Sequence, residues 1–164
     1  MNATLEKEFI DNLTAHQKIA HKICRLYTND DSAHKDLFQE ITVQLWKAYP
    51  SFRGDAKFST WMYRVALNTA ITLYRKQKRR VKTTDIDAVN FKIKADVYDD
   101  TIEENLKLMY AAIKELNDID KALVFLYLED RNYKEISATL GISEVNARVK
   151  MNRVKTKLKK ILNP

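Results

Sequence analysis

Two groups of cations stand apart on this chain. Arg75, Lys76, Lys78, Arg79, Arg80 and Lys82 form one; Arg148, Lys150, Arg153, Lys155, Lys157 and Lys159, interrupted by Asn152, form the other. Side chains of these types bind phosphate oxygens, which give affinity without sequence information. An arginine can also donate two hydrogen bonds to guanine, and an asparagine can pair with adenine. The chemistry on offer is therefore recognition of nucleic acid. A further stripe, Lys57, Trp61, Arg64, Asn68 and Arg75, repeats by three, four or seven, the spacing of one helix side. Met62, Val65, Ala66, Thr69 and Leu73 fall nearer the core side. Cations with an aromatic ring suit unpaired bases, whose stacking is worth ~1–3 kcal/mol each. Opening a duplex step loses ~1.4 kcal/mol of stacking on average, so a few such contacts could hold melted DNA without fuel. Simple core packing is the competing role for Trp61. Finally, Asp36, Gln39, Glu40 and Gln44 share a helix face beside Trp46. Such a face suits a basic helical partner, or simply solvent.

Little else offers chemistry. The two glycines, Gly54 and Gly141, lie 87 positions apart, so a glycine-rich phosphate loop is absent. Asp99, Asp100, Glu103 and Glu104 are neighbouring acids in a polar stretch, a pattern of solvation rather than acid–base catalysis. His16, His21 and Cys24 are too few for a structural zinc site. We expect no catalytic residues, no metal and no cofactor. The lone Cys24 cannot pair internally and sits in an apolar helical run, so a packed thiol in a reducing compartment is expected. The beginning, MNATLEKEFI, carries acids and no apolar core, unlike a signal peptide. The longest apolar run, residues 122–128, is too short to span a bilayer. A cytoplasmic protein without membrane insertion is expected.

Helices must position these groups. Two glycines and two prolines in 164 residues, with many Leu, Ala, Lys and Glu, predict an all-α protein. One helix covers about 5–27, with Phe9, Leu13, Ile19, Ile23 and Leu26 on one side. After a polar break at 28–32, a second runs to about Ala48 with Leu37, Phe38, Ile41, Leu45 and Ala48 inward. A turn at 50–55 precedes a third, from about Phe58 until it fades into the basic cluster after Arg75. Residues 81–104 lack a sustained period, with a short helix expected near 88–91. The period returns through Leu106, Met109, Ile113 and Leu116, and another helix follows over about 119–128.

The stretch 133–160 reads as a helix-turn-helix. Tyr133, Ile136 and Leu140 share a face; Gly141 suits a left-handed stop; Ile142 plugs the core; Ser143 caps the next helix. Ala147, Met151, Val154, Leu158 and Ile161 form a buried stripe, leaving a basic face for a DNA major groove. An ordinary helical hairpin with a solvated basic face is the alternative, and the motif by itself also fits a two-component or quorum-sensing regulator. Charge partitions with this layout. Residues 1–80 carry 14 Lys/Arg against 8 Asp/Glu, residues 81–106 carry 3 against 7, and residues 107–164 carry 12 against 7. The net charge of +7 and pI near 9.4 thus reside in two cationic domains about an acidic linker.

Together these residues resemble an RNA polymerase sigma factor of the extracytoplasmic-function (ECF) group. The first matching string is DLFQEITVQLWKAYPSFRGDAKFSTWMYRVALNTAITLYRK, residues 36–76, within which DLxQE, FRGDAKFSTW and RxAxNTA are specific in combination. The second spans 111–162, from AAIKELNDIDKALVFLYLEDRNYKEISATLGIS into the basic helix. The resemblance implies a transcription initiation factor with three parts. Residues 1–80 would be region two, 81–105 an acidic linker in place of region three, and 106–164 region four. Asp36, Leu37, Gln39, Glu40 and Gln44 would dock on the clamp helices of polymerase β′, with β as a further contact. Lys57, Trp61, Arg64, Asn68, Arg75, Lys78, Arg79 and Arg80 would melt and read the minus-ten element, with a base pocketed by a loop at about 76–84. The linker would thread polymerase near the template path and RNA exit. Ser143, Arg148, Val149, Lys150, Asn152, Arg153 and Lys155 would meet the minus-thirty-five element, with Arg148, Val149, Asn152 and Arg153 facing bases and Lys150 and Lys155 on phosphates. Core polymerase and promoter DNA are the implied partners, with an anti-sigma factor as a possible third. Two features depart from the family. Glu144, Val145 and Asn146 replace its usual small residue and threonine, and the usual proline before the turn at 117–120 is missing.

Overall fold

The computed structural model describes residues 3–83 and 101–164, with side chains for 3–80 and 104–164. The chain divides into two units, Met1–Ile86 and Asp87–Pro164. Every regular element among the described residues is helical. In the first unit these are α1 (Ala3–Tyr27), α2 (Asp31–Ala48), a short 3-10 turn (Tyr49–Ser51) and α3 (Phe58–Thr83). The second holds α4 (Thr101–Lys114), α5 (Asp118–Leu128), α6 (Tyr133–Leu140) and α7 (Glu144–Leu162).

In the first unit α1, α2 and α3 pack mutually around Ile23, Leu26, Ile41, Leu45, Met62 and Leu67, all fully buried. Asp30 starts α2 by accepting a 2.7 Å hydrogen bond from the Ala33 amide. Pro50 ends it, since proline has no N–H to extend the ladder. Aromatic rings close the corner between α1, the 3-10 turn and α3: Tyr49 lies 5.1 Å from Phe9, 6.3 Å from Phe58 and 6.1 Å from Trp61. Such pairs add ~0.5–1.5 kcal/mol beyond area burial. Cys24 is packed in this core, and burial pushes its thiol up to about 12, which leaves it a small inert hydrophobe.

Helix α3 departs from the expected fade after Arg75. It stays helical through Thr83, so residues 76–83 are rod rather than loop. The physical reason is compositional: Arg, Lys and Gln are good helix formers, and no glycine or proline intervenes. The short helix expected at 88–91 lies outside the described residues.

In the second unit each later helix has its own cap. Asn117, Asn132 and Ser143 accept from the amides of Asp120, Glu135 and Asn146 at 2.9, 2.8 and 3.0 Å. Asn117 therefore supplies the start of α5. Asp130 turns the chain between α5 and α6 in the left-handed region, at φ 59°. Gly141 does the same at φ 70° after α6, with its amide and that of Ile142 both donating to the Ser137 carbonyl. Ala147, Met151, Val154 and Leu158 are buried as the period required, while Ile161 is half-buried. The inward stripe of α4 needs correction. Ala112, Ile113 and Leu116 are buried, but Leu106 is 52% exposed. The first turns of α4 extend past the helices that cover its end.

Gly141→Ala puts a side chain into a left-handed backbone, which costs about 1–2 kcal/mol. Urea unfolding of the variant should show that loss; an unchanged midpoint would contradict the role given to this turn.

Candidate nucleic-acid interface

The polar stripe of α3 is open along most of its length. Lys57 at its threshold and Arg64, Asn68 and Arg75 along it are exposed, and every residue from Arg75 to Arg80 is exposed. The opposite side, Met62, Tyr63, Ala66, Leu67, Ala70 and Ile71, is buried. A helix advances 100° per residue, so the stripe and the core side are separated by the same period that defines them. Trp61 is different. It is half-buried, with its ring 5.1 Å from Phe52 and 5.5 Å from Phe58. One part of the ring is packed and another is accessible, so its packing leaves room for a stacking contact. Beyond the bundle, Lys78 lies 4.9 Å over the Tyr74 ring, and the Arg79 Nε donates to the Arg75 carbonyl at 3.4 Å.

On α2, Asp36 and Gln39 are exposed and Glu40 and Gln44 half-buried. Gln44 donates to a Glu40 carboxylate oxygen at 2.9 Å, which fixes both side chains along the face. Leu37 is only 6% exposed, so it supports this face from the core and does not project from it. It still lines an open cleft of about 320 Å³, with Tyr27, Asp36, Glu40 and Tyr74 also on its walls. Two residues before Asp36, His34 Nε2 meets His21 Nδ1 at 2.9 Å and ties α2 to α1, while Phe38 stacks on His21 at 4.4 Å. Among the described residues no three metal-ligating side chains come together.

Helix α7 presents its first turns to solvent. Ser143 is spent on capping. Arg148 is held from both sides, 4.0 Å from a Glu144 oxygen and 5.2 Å over the Tyr133 ring. Lys155 leans on Tyr127 of α5, 4.8 Å over the ring and 3.4 Å from its hydroxyl. Val149, Asn152 and Arg153 are exposed, and Lys150 is half-buried. Lys157, which the basic face included, is committed elsewhere: it pairs at 3.7 Å with Asp120, whose side chain is 8% exposed. That pair joins α7 to the start of α5 and lies far apart in sequence, so periodicity gave no sign of it. The Glu144–Arg148 pair, by contrast, is an i, i+4 spacing visible in the chain. Val145, which the sequence marks only as a departure from the family pattern, is 68% exposed at the start of α7.

The family pattern for sigma-70 region 2 matches residues 13–80, and that for sigma-70 region 4 matches residues 106–158. The chain is 31% identical to the ECF RNA polymerase sigma-E factor of Escherichia coli strain K12 over 145 residues, which is 80% of this chain and 75% of that protein. It belongs to the ECF sigma factors. The corresponding figures for the sigma-E factor of Haemophilus influenzae are 27%, 158 residues, 90% and 82%. Among solved structures, the sigma factor RpoE bound to the anti-sigma factor NepR from Bartonella quintana has a TM-score of 0.74 at 18% identity, covering 95% of this chain and 97% of that one. CnrH, bound to the cytosolic domain of CnrY, has a TM-score of 0.68 at 18% identity, covering 96% and 89%. This sigma factor is a transcription initiation factor, not an enzyme, and its partners are core RNA polymerase and promoter DNA. No helix among the described residues is long and apolar enough to cross a membrane.

The histidine pair makes the first unit sensitive to acid. Burial first, then His21 and Arg25, hold the His34 imidazole below its ordinary value of 6.5, against an upward pull from Asp31. The unfolded chain therefore binds this proton more readily than the folded one. The stability contributed is complete above about pH 6.5 and is lost as pH falls through the lowered folded value. His34→Asn should shrink the drop in melting temperature between about pH 7.5 and pH 5; an undiminished drop would contradict this.

Proposed function

We propose that the sigma factor divides its work as three segments: residues 1–80 dock on polymerase and open the minus-ten element, 81–105 link, and 106–164 read the minus-thirty-five element. The acidic and amide groups of Asp36, Gln39, Glu40 and Gln44 receive the β′ clamp helices, with Leu37 beneath them, and β adds a further contact. Lys57, Trp61, Arg64, Asn68 and Arg75 hold the displaced strand, with Lys78, Arg79 and Arg80 on its phosphates. Because 76–83 is helical, the cations there act from a rod and not from a base-enclosing loop. On α7, Val149, Asn152 and Arg153 face base edges; Lys150 and Lys155 meet phosphates; Ser143 sets the helix start and Arg148 stands braced at the edge of the groove. Binding energy alone drives opening. The site of action is the cytoplasm. The structural relative RpoE, solved with the anti-sigma factor NepR, supports an anti-sigma factor as a further partner.

The observation that carries this reading is the exposure of a continuous Arg64–Asn68–Arg75 stripe on the same chain as a capped, basic α7. Simultaneous replacement of Asp36, Gln39 and Glu40 by alanine should abolish retention by core polymerase while the melting temperature stays near wild type. Normal recovery of β′ with that variant would refute the docking assignment.

A further inference from the structure

The first two turns of helix α7 carry two exposed apolar side chains. Val145 is 68% exposed and Val149 is 41% exposed, although α7 has already buried Ala147, Met151, Val154 and Leu158. The two valines stand two residues before and two after Ala147, so they lie about 160° and 200° around the helix from it. That is the centre of the free face, opposite the core. Asn152 and Thr156, both exposed, continue the same line. Cations flank it: Arg148 and Lys155 on one side and Lys150 on the other, where Lys157 is held by Asp120. The fold gains nothing from these valines. β-branched residues are weaker helix formers than the Lys, Arg or Gln that such a surface could carry.

We propose that Val145 and Val149 are specificity-determining residues that read the 5-methyl groups of thymines in the upstream promoter element. The inference rests on the assignment of α7 to that element and names the base feature it recognises. In the major groove the thymine methyl is the one apolar group on a base edge, and small aliphatic side chains contact it. The flanking cations fit phosphates on the two sides of the groove, which leaves the valine line facing the bases. One helical turn separates the valines, about 6 Å of rise, which corresponds to about two base-pair steps. The pair is therefore suited to two thymines so spaced, on either strand. Val145 stands where the family usually has a threonine or small residue, so this preference belongs to this chain.

The test removes the methyl group alone. Holoenzyme first selects promoter duplexes from a library randomised in the upstream element. The recovered duplex is then synthesised with uracil at single upstream thymines, leaving the minus-ten region unchanged. Loss of one methyl contact should weaken binding about fourfold at each of two positions. Val145→Ala should shrink the uracil effect at one position and Val149→Ala at the other. Equal binding of uracil and thymine duplexes at every position, a selected element without thymine, or uracil effects that persist unchanged in both variants would overturn the proposal. Weaker polymerase assembly by the variants, with thymine discrimination intact, would also overturn it and make the valines a protein contact. Failure of the holoenzyme to protect any upstream duplex has a different signature, and it would remove the assignment of α7 itself.

Discussion

The first unit depends on one corner. Tyr49 is where α1, the 3-10 turn and α3 meet, and its ring neighbours are Phe9, Phe52, Phe58 and Trp61. This contact fixes the start of α3 and its rotation about its own axis. A helix has only one direction in which to bury a stripe, so rotation decides which residues remain outside. With Phe58 and Met62 inward, Arg64, Asn68 and Arg75 must face out. Trp61 then lies at the boundary, partly in the cluster and partly at the start of the polar stripe. Its ring can stack on a base without being loose, because its neighbours already hold it.

In the second unit the same problem is solved by local capping and one long-range ion pair. Asn132, Gly141 and Ser143 set the lengths and the turn of the α6–α7 pair, and each contact spans only a few residues. The Lys157–Asp120 pair then ties the far end of α7 to the first turn of α5, where a carboxylate also meets the positive end of the helix. Hydrophobic burial of four side chains supplies the affinity between these helices. The caps and the pair decide which side of α7 faces solvent.

Much of this was legible in the sequence because it is local. Gly141 and Ser143 announced their turn through residue type alone, and the stripe from Ala147 to Leu158 followed from spacing. The three-helix pattern of the first unit was equally plain. Leu106 lies on the apolar period yet is exposed, because a period marks the apolar side of a helix but not where a neighbour stops covering it. The resemblance implies a loop at about 76–84, whereas the helix propensity of the residues argues for the rod that runs through Thr83. The Lys157–Asp120 pair and the His21–His34 bond depend on how helices pack, which spacing along one chain does not encode. Val145 shows in the sequence only as a departure from the family pattern, because a single apolar residue among polar ones carries no period; its exposure has meaning only once the opposite face is known to be full.

The central claim is that the outward stripe of α3 holds unpaired bases and so converts binding energy into strand opening. Permanganate oxidation of minus-ten thymines in holoenzyme–promoter complexes tests it most directly, with wild-type chain compared against Asn68→Ala. Upstream protection should be kept by the variant while thymine reactivity falls well below wild type. Thymines that remain fully reactive in the variant would contradict the account.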